Sequence, residues 1–117
     1  MPVKNSREVV LAFVDALNRA DFQAARECVT DDLNFVGALG SREGADAYFR
    51  DMERMRLKYD VKKAFAEDDD VCLFYDVTMS GITAFCAGWY RLSQGKIRSF
   101  RVVFDPRPVL EAAQKNK

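Results

Sequence analysis

The sequence predicts an α+β fold in which three N-terminal helices pack on one face of a strongly curved antiparallel β-sheet. Three observations carry that expectation. Apolar residues recur at helical spacing through about the first half of the chain and at every second position afterwards. The segments of the later part are separated by short Gly-, Ser- or Asp-containing turns, as hairpins require. Within the strands one parity is almost entirely large and apolar and the other is mixed, so the sheet has one dry face.

Val9, Val10, Phe13, Val14 and Leu17 mark the first helix, over residues 6–19, with Ser6 placed as its N-cap. Asp21 opens a second, shorter helix through Phe22, Ala25, Cys28 and Val29. Asn34 to Leu39 reads as a short strand running into Gly40-Ser41, and Ser41 is placed to cap a third helix with Ala45, Tyr48, Phe49, Met52 and Met55 on one face. From Leu57 the period becomes two. Leu57 to Ala66, Val71 to Ser80, Thr83 to Leu92 and Ile97 to Asp105 are strands, joined by Glu67 to Asp70, Ser80-Gly81 and Ser93 to Lys96. Pro106 and Pro108 end the last strand, Val109 to Ala113 form a helical turn, and Gln114 to Lys117 are expected to fray.

Strand parity assigns the two faces. Val71, Leu73, Tyr75, Val77 and Met79 point one way, and Cys72, Phe74, Asp76, Thr78 and Ser80 the other. Phe100, Val102 and Phe104 share the dry side, opposite Ser99, Arg101 and Val103. No repeat or linker interrupts the pattern, so residues 1–117 are expected to form a single domain.

Composition narrows the function. Lys plus Arg equals Asp plus Glu at 18 each, which disfavours a broad nucleic-acid or anionic-membrane surface. No apolar run is long enough to span a bilayer, and MPVKNSREVV lacks the apolar core of a signal peptide. Three widely spaced cysteines, Cys28, Cys72 and Cys86, make a poor disulfide framework and suggest reduced thiols in a cytoplasmic protein. Histidine is absent altogether, which removes histidine triads, the usual zinc sites and the commonest general base. Glu67 to Asp70 lacks the alternating ligand spacing of a calcium loop and reads as a hairpin turn.

Three short pieces carry a resemblance: Ala20-Asp21-Phe22 between the first two helices, Thr30-Asp31-Asp32-Leu33-Asn34-Phe35 entering the first strand, and Gly95-Lys96-Ile97 before the last. In this order and at these separations the chain resembles, over nearly its whole length, the nuclear-transport-factor-2-like (NTF2-like) superfamily, which includes SnoaL-like proteins and ketosteroid isomerase. The resemblance implies a cystatin-like cone whose open end often holds a small apolar molecule, with no cofactor or metal, and dimers paired through the outer face of the sheet. It would line the cone with Phe13 and Leu17 from the first helix, Phe35 and Gly37 from the first strand, and Tyr48, Phe49 and Met52 from the third helix. Tyr75, Val77 and Met79 would follow, then Cys86, Gly88 and Tyr90, then Phe100, Val102 and Phe104. Gly37 and Gly88 would leave volume where a side chain would otherwise stand.

The same resemblance bears on chemistry. Steroid isomerisation uses a carboxylate base with a tyrosine and a protonated acid at the oxyanion; the corresponding positions here hold Gly37, Phe13 and Gly88. An epoxide-hydrolase Asp-Arg-Asp set would draw on Asp76, Arg91 and Arg101, which parity sends outward. Small-molecule binding without assigned catalysis is the first reading. An isomerase, cyclase or hydrolase acting on a small apolar substrate, or a dimerising module with no ligand, are the alternatives. Asp76, Trp89, Arg91, Ser99 and Arg101 form the outer patch suited to a homodimer. Tyr48, Tyr75 and Tyr90 are the polar handles inside, and Cys86 is expected to face inward and be inert. Arg54 to Lys58 and Lys62-Lys63 read as surface, and Arg107, fixed between two prolines, as the end of the sheet.

Overall fold

A computed structural model describes residues 5–115. Three helices come first: α1 (Ser6–Asn18), α2 (Phe22–Glu27) and, after a hairpin of β1 (Val29–Gly37) and β2 (Gly40–Glu43), α3 (Ala45–Met55). The meander β3 (Lys58–Glu67), β4 (Asp70–Met79), β5 (Ile82–Ser93) and β6 (Lys96–Val103) follows, and α4 (Arg107–Lys115) ends the described chain. All six strands join one curved sheet in the order β2-β1-β6-β5-β4-β3.

The first three helices cover the concave face. The alternation that marked that face holds through β4, where Val71, Leu73, Tyr75 and Val77 are buried and Cys72, Phe74, Asp76 and Thr78 are only half-buried. Val10, Leu33, Leu73 and Ile97 have no exposed surface and form the dry centre. No charged residue is buried among the described residues, so nothing in that centre carries the cost of an unpaired ion.

Asn18 fastens the end of α1 to the sheet. Its amide nitrogen donates to the Tyr59 carbonyl at 2.9 Å, and its amide oxygen accepts from the Tyr59 N–H at 2.7 Å. That reciprocal pair satisfies both backbone groups of Tyr59 and sets the height of β3 beside the helix.

Local details correct the sequence reading. Asn5, not Ser6, caps α1, accepting the Glu8 N–H at 2.8 Å, while the Ser6 hydroxyl donates to the Asp68 carbonyl of the β3–β4 turn at 2.6 Å. The α2 cap is Asp21 as expected, accepting from the Ala24 N–H at 3.1 Å, but the helix stops at Glu27 and Val29 already begins β1. Ser41 caps no helix. It lies in β2, opposite Val36, and α3 starts after Gly44, whose φ of 89° is one that glycine tolerates. The second half is antiparallel throughout, and the one parallel pairing joins β1 to β6. The C-terminal turn is longer than expected, since α4 includes Gln114; Asn116 and Lys117 lie outside the described residues, as does the stretch Met1–Lys4.

Candidate functional site

Between the helices and the concave face lies a cavity of about 220 Å³. An apolar cavity of roughly 150 Å³ holds benzene, so this one has room for a molecule of about nine carbons. Its floor is aromatic. Phe13, from the middle of α1, meets Phe100 and Tyr48 at centroid distances of 5.9 and 6.3 Å, and Phe49 and Tyr90 at 6.3 and 6.4 Å. Tyr90 and Phe100, direct partners across β5 and β6, stack at 4.8 Å with their planes 11° apart. Phe35 is opposite Phe100 in the parallel pair, 4.9 Å from it. Edge-on and offset contacts of this kind hold rings more firmly than area alone would.

The chain has four tyrosines, Tyr48, Tyr59, Tyr75 and Tyr90, and all four line this cavity. Burial raises each of their phenols above the usual range, and the Tyr59 phenol beside them adds to the effect on Tyr48, Tyr75 and Tyr90. They are therefore neutral hydrogen-bonding groups at any physiological pH. Cys86 is buried beside them, and desolvation together with the Asp76 carboxylate pushes its thiol up to about 11. A thiol held in that state is a poor nucleophile, as the sequence suggested.

The open end is built differently. Ala38 and Leu39 of the β1–β2 turn, Gly40 at the start of β2, Met55 of α3 and Leu57 after it form an apolar rim, and Leu39 is 52% exposed. Beside them stand Arg42, Asp51 and Arg54, the three charged residues of the lining. Each oxygen of Asp51 is taken by a different arginine: Oδ2 accepts from Arg42 Nε at 2.6 Å, and Oδ1 from an Arg54 guanidinium nitrogen at 2.9 Å.

Of the residues expected to line the cone, Phe13, Phe35, Gly37, Tyr48 and Met52 do so from the helices and β1, and Tyr75, Val77, Met79, Cys86, Tyr90, Phe100, Val102 and Phe104 from the meander and the residue after it. Leu17 and Phe49 are buried in the core without reaching the cavity. Gly88 does not reach it either, and it leaves no volume. A Cβ built there would stand 2.9 Å from Tyr90 Cε1 and 3.3 Å from Tyr75 Cε1, so the space is already filled by the two rings. At Gly37 the Phe35 ring has done the same, with its Cζ 2.8 Å from where a Cβ would be. Both glycines let a neighbouring ring lie flat over the strand instead of opening the cone. Sequence reasoning missed Tyr59 and the whole rim. One signal was present. Asp51 is three residues after Tyr48 and next to Met52, a carboxylate inside the otherwise apolar stripe of α3.

The convex face carries Asp76, Trp89, Arg91, Ser99 and Arg101, as parity required. The Trp89 indole N–H donates to Asp70 at 2.9 Å, and the Arg91 guanidinium lies 5.3 Å from the indole ring while approaching the same carboxylate at 3.4 Å. Asp76 faces Lys62 at 3.7 Å. Beside these polar groups runs an aromatic row absent from the sequence reading: Phe65, Phe74 and Phe85, with centroids 6.1 and 6.2 Å apart, the outer two more than half exposed. Arg107 takes no part in the cavity. It folds back onto Asp105 at 2.7 Å, and that contact holds the Asp105 carboxyl down to about 2.

With a cone, a rim and a convex face in place, the relatives are informative. The SnoaL-like domain family matches residues 10–100. An NTF2-like protein of unknown function from Cytophaga hutchinsonii is 44% identical, with a TM-score of 0.91 over 94% of this chain and 97% of that one. A protein from Kribbella flavida is 25% identical, with a TM-score of 0.84 over 94% of each chain. An LEH-like epoxide hydrolase from M. tuberculosis shares the fold at 19% identity, with a TM-score of 0.77 over 94% of this chain and 90% of that one. No curated protein matches the chain in sequence. The family match over most of the chain and the Cytophaga relative agree with the cone itself: this chain belongs to the SnoaL-like domain family of the NTF2-like superfamily.

Proposed function

We propose that the protein binds a small, largely apolar molecule in the cone. The observation that carries this reading is the lining itself: a cavity of about 220 Å³ with an aromatic floor, in which neutral tyrosine hydroxyls are the deep hydrogen-bonding groups. Sites for small organic ligands have this composition, apolar walls with a few convergent polar groups that fix orientation. Nothing in the floor supplies a catalytic carboxylate, since Phe13, Gly37 and Gly88 stand at the positions used for steroid isomerisation and the one carboxylate of the lining, Asp51, is tied to two arginines. Binding without catalysis is accordingly preferred over isomerase or hydrolase activity. A cytoplasmic setting belongs to the same reading, since three widely spaced cysteines make a poor disulfide framework.

Thermal denaturation in the presence of small ketones, lactones and medium-chain acids tests the reading. A compound at about a hundred times its Kd should stabilise the fold by roughly 2.7 kcal/mol, several degrees in Tm. Met79→Trp, which projects a ring into the cavity from a half-buried position, should remove that shift without unfolding the protein. If no compound of suitable size raises the Tm of the unaltered protein, the cone is not a binding site.

A second observation supports a homodimer through the convex face. Phe65, Phe74, Phe85, Val103 and Trp89 make an apolar band rimmed by Asp76, Arg91 and Arg101, with the aromatic and arginine content of an interface core. Light scattering at micromolar concentration should give twice the monomer mass, and Phe85→Lys should return it to the monomer. Emission from Trp89, the single tryptophan, should shift to the blue as concentration rises. A monomer at all concentrations would rule this interface out.

A further inference from the structure

The rim of the cone carries more information than its floor. Among the described residues, all charge in the lining is gathered at the open end, where two arginines face one aspartate. Arg42 donates from Nε to Asp51 and from a terminal nitrogen to the Ser41 carbonyl at 2.7 Å; Arg54 donates to Asp51 from one terminal nitrogen. Each guanidinium therefore keeps N–H groups uncommitted. Asp51 is the least exposed of the three, its side chain 17% exposed against 48% for Arg42 and 71% for Arg54, so it acts as the anchor that draws two cations to one spot. Two positive charges less one negative leave a net charge of one at the mouth. Mutual repulsion of the guanidinium groups is offset by Asp51, and a second monoanion would complete the neutralisation.

Resting on the reading of the cone as a binding site, we propose that its ligand is an amphipathic monocarboxylate, with an apolar body of about nine carbons in the aromatic floor and its carboxylate on Arg42 and Arg54. The planar guanidinium fork matches a carboxylate bidentately, and hydrogen bonds with both partners charged are the strong class. The distribution of groups fits such a molecule along its whole length: aromatic rings, tyrosines among them, in the enclosed part and fixed positive charge at the exit. A neutral apolar ligand would gain nothing from the arginines. A dianion would leave one charge unmatched.

Matched pairs of straight-chain ligands decide the matter. Binding of octanoate and octan-1-ol, and of the hexanoyl and decanoyl counterparts, is measured by calorimetry at mildly alkaline pH and low salt on the full chain. An apolar cone with no cation would prefer the alcohol, because a carboxylate entering it gives up hydration without return. The proposal expects the opposite order, with the acid bound about tenfold more tightly, which corresponds to a little over 1 kcal/mol for a charge-assisted contact at an exposed mouth. The preference should shrink as salt is raised, and in Arg42→Gln/Arg54→Gln the acid should fall to or below the alcohol. Equal binding of acid and alcohol, or preference for the alcohol in the unaltered protein, would overturn the carboxylate assignment and leave the apolar site standing. Binding of neither member of any pair would overturn both. The comparison within the unaltered protein needs no variant to fold.

Discussion

Raising the pH past about 10 should unfold this protein in one cooperative step, with tyrosinate absorbance appearing only as the far-ultraviolet dichroism disappears. The reason is where the tyrosines are. Tyr48, Tyr75 and Tyr90 are each buried to within 2% of full enclosure, and burial raises their phenols, with that of Tyr59, well above the ordinary value of 10.0. In the unfolded chain the same groups ionise near 10. A raised pKa in the folded state means that the stability it reflects is fully present below the unfolded value and is lost as pH climbs beyond it. Above pH 10 the unfolded state sheds four protons that the folded state retains, which costs about 5 kcal/mol of stability per pH unit. Cys86 adds to this between its ordinary value of 9.0 and about 11. Against a total of roughly 5–15 kcal/mol, such a slope places the midpoint between about pH 10.5 and 12.5. Phenols that titrated smoothly near pH 10 while the dichroism persisted would show that water reaches the floor of the cone.

Phe13→Ala should be the most damaging single truncation of the site. The ring is 1% exposed and touches Tyr48, Phe49, Tyr90 and Phe100, so it is the hub through which α1 and α3 meet β5 and β6. Removing a buried phenylalanine ring costs roughly 3–5 kcal/mol, the lost transfer energy plus the cavity left behind. For a chain of this size that is a fall in Tm on the order of 10–20 °C. The void would open into the existing cavity, and so the survivor should bind longer or bulkier apolar molecules than the unaltered protein does. A loss below about 1 kcal/mol in denaturant titration, or an unchanged size preference, would mean that the other rings close over the gap and that Phe13 is not the hub.

How much of this could be read beforehand depends on which residues report on their own neighbours. Val71, Leu73, Tyr75 and Val77 alternate with the mixed set Cys72, Phe74, Asp76 and Thr78, so the inward face of β4 was legible, and the face of α3 followed from Tyr48, Phe49 and Met52. Gly40–Glu43 was not legible as a strand. All four of its residues are exposed, and an edge strand with no buried face has no hydrophobic period to display. The role of Gly88 was misread because a glycine in a strand shows only that something lies close above it, and the two rings that do are found on its own strand and the next. Arg42 and Asp51 escaped notice and Arg54 was read only as surface, because β2 and α3 come together only in three dimensions, and three charges without a fixed spacing resemble any solvated surface. Asp51 alone broke the pattern of its helix.

The pairing of β1 with β6 has a consequence for biosynthesis. Val29 lies beside Ile97, and Phe35 beside Phe100, so the strand translated last is wedged between the hairpin made early and β5. Until the ribosome has released residues beyond Val103, the β1–β2 hairpin has no place in the sheet and the nascent chain exposes two unpaired edges. Closure of the cone thus waits until β6 has emerged, and until then the polypeptide carries the open edges that make partly folded chains prone to aggregate.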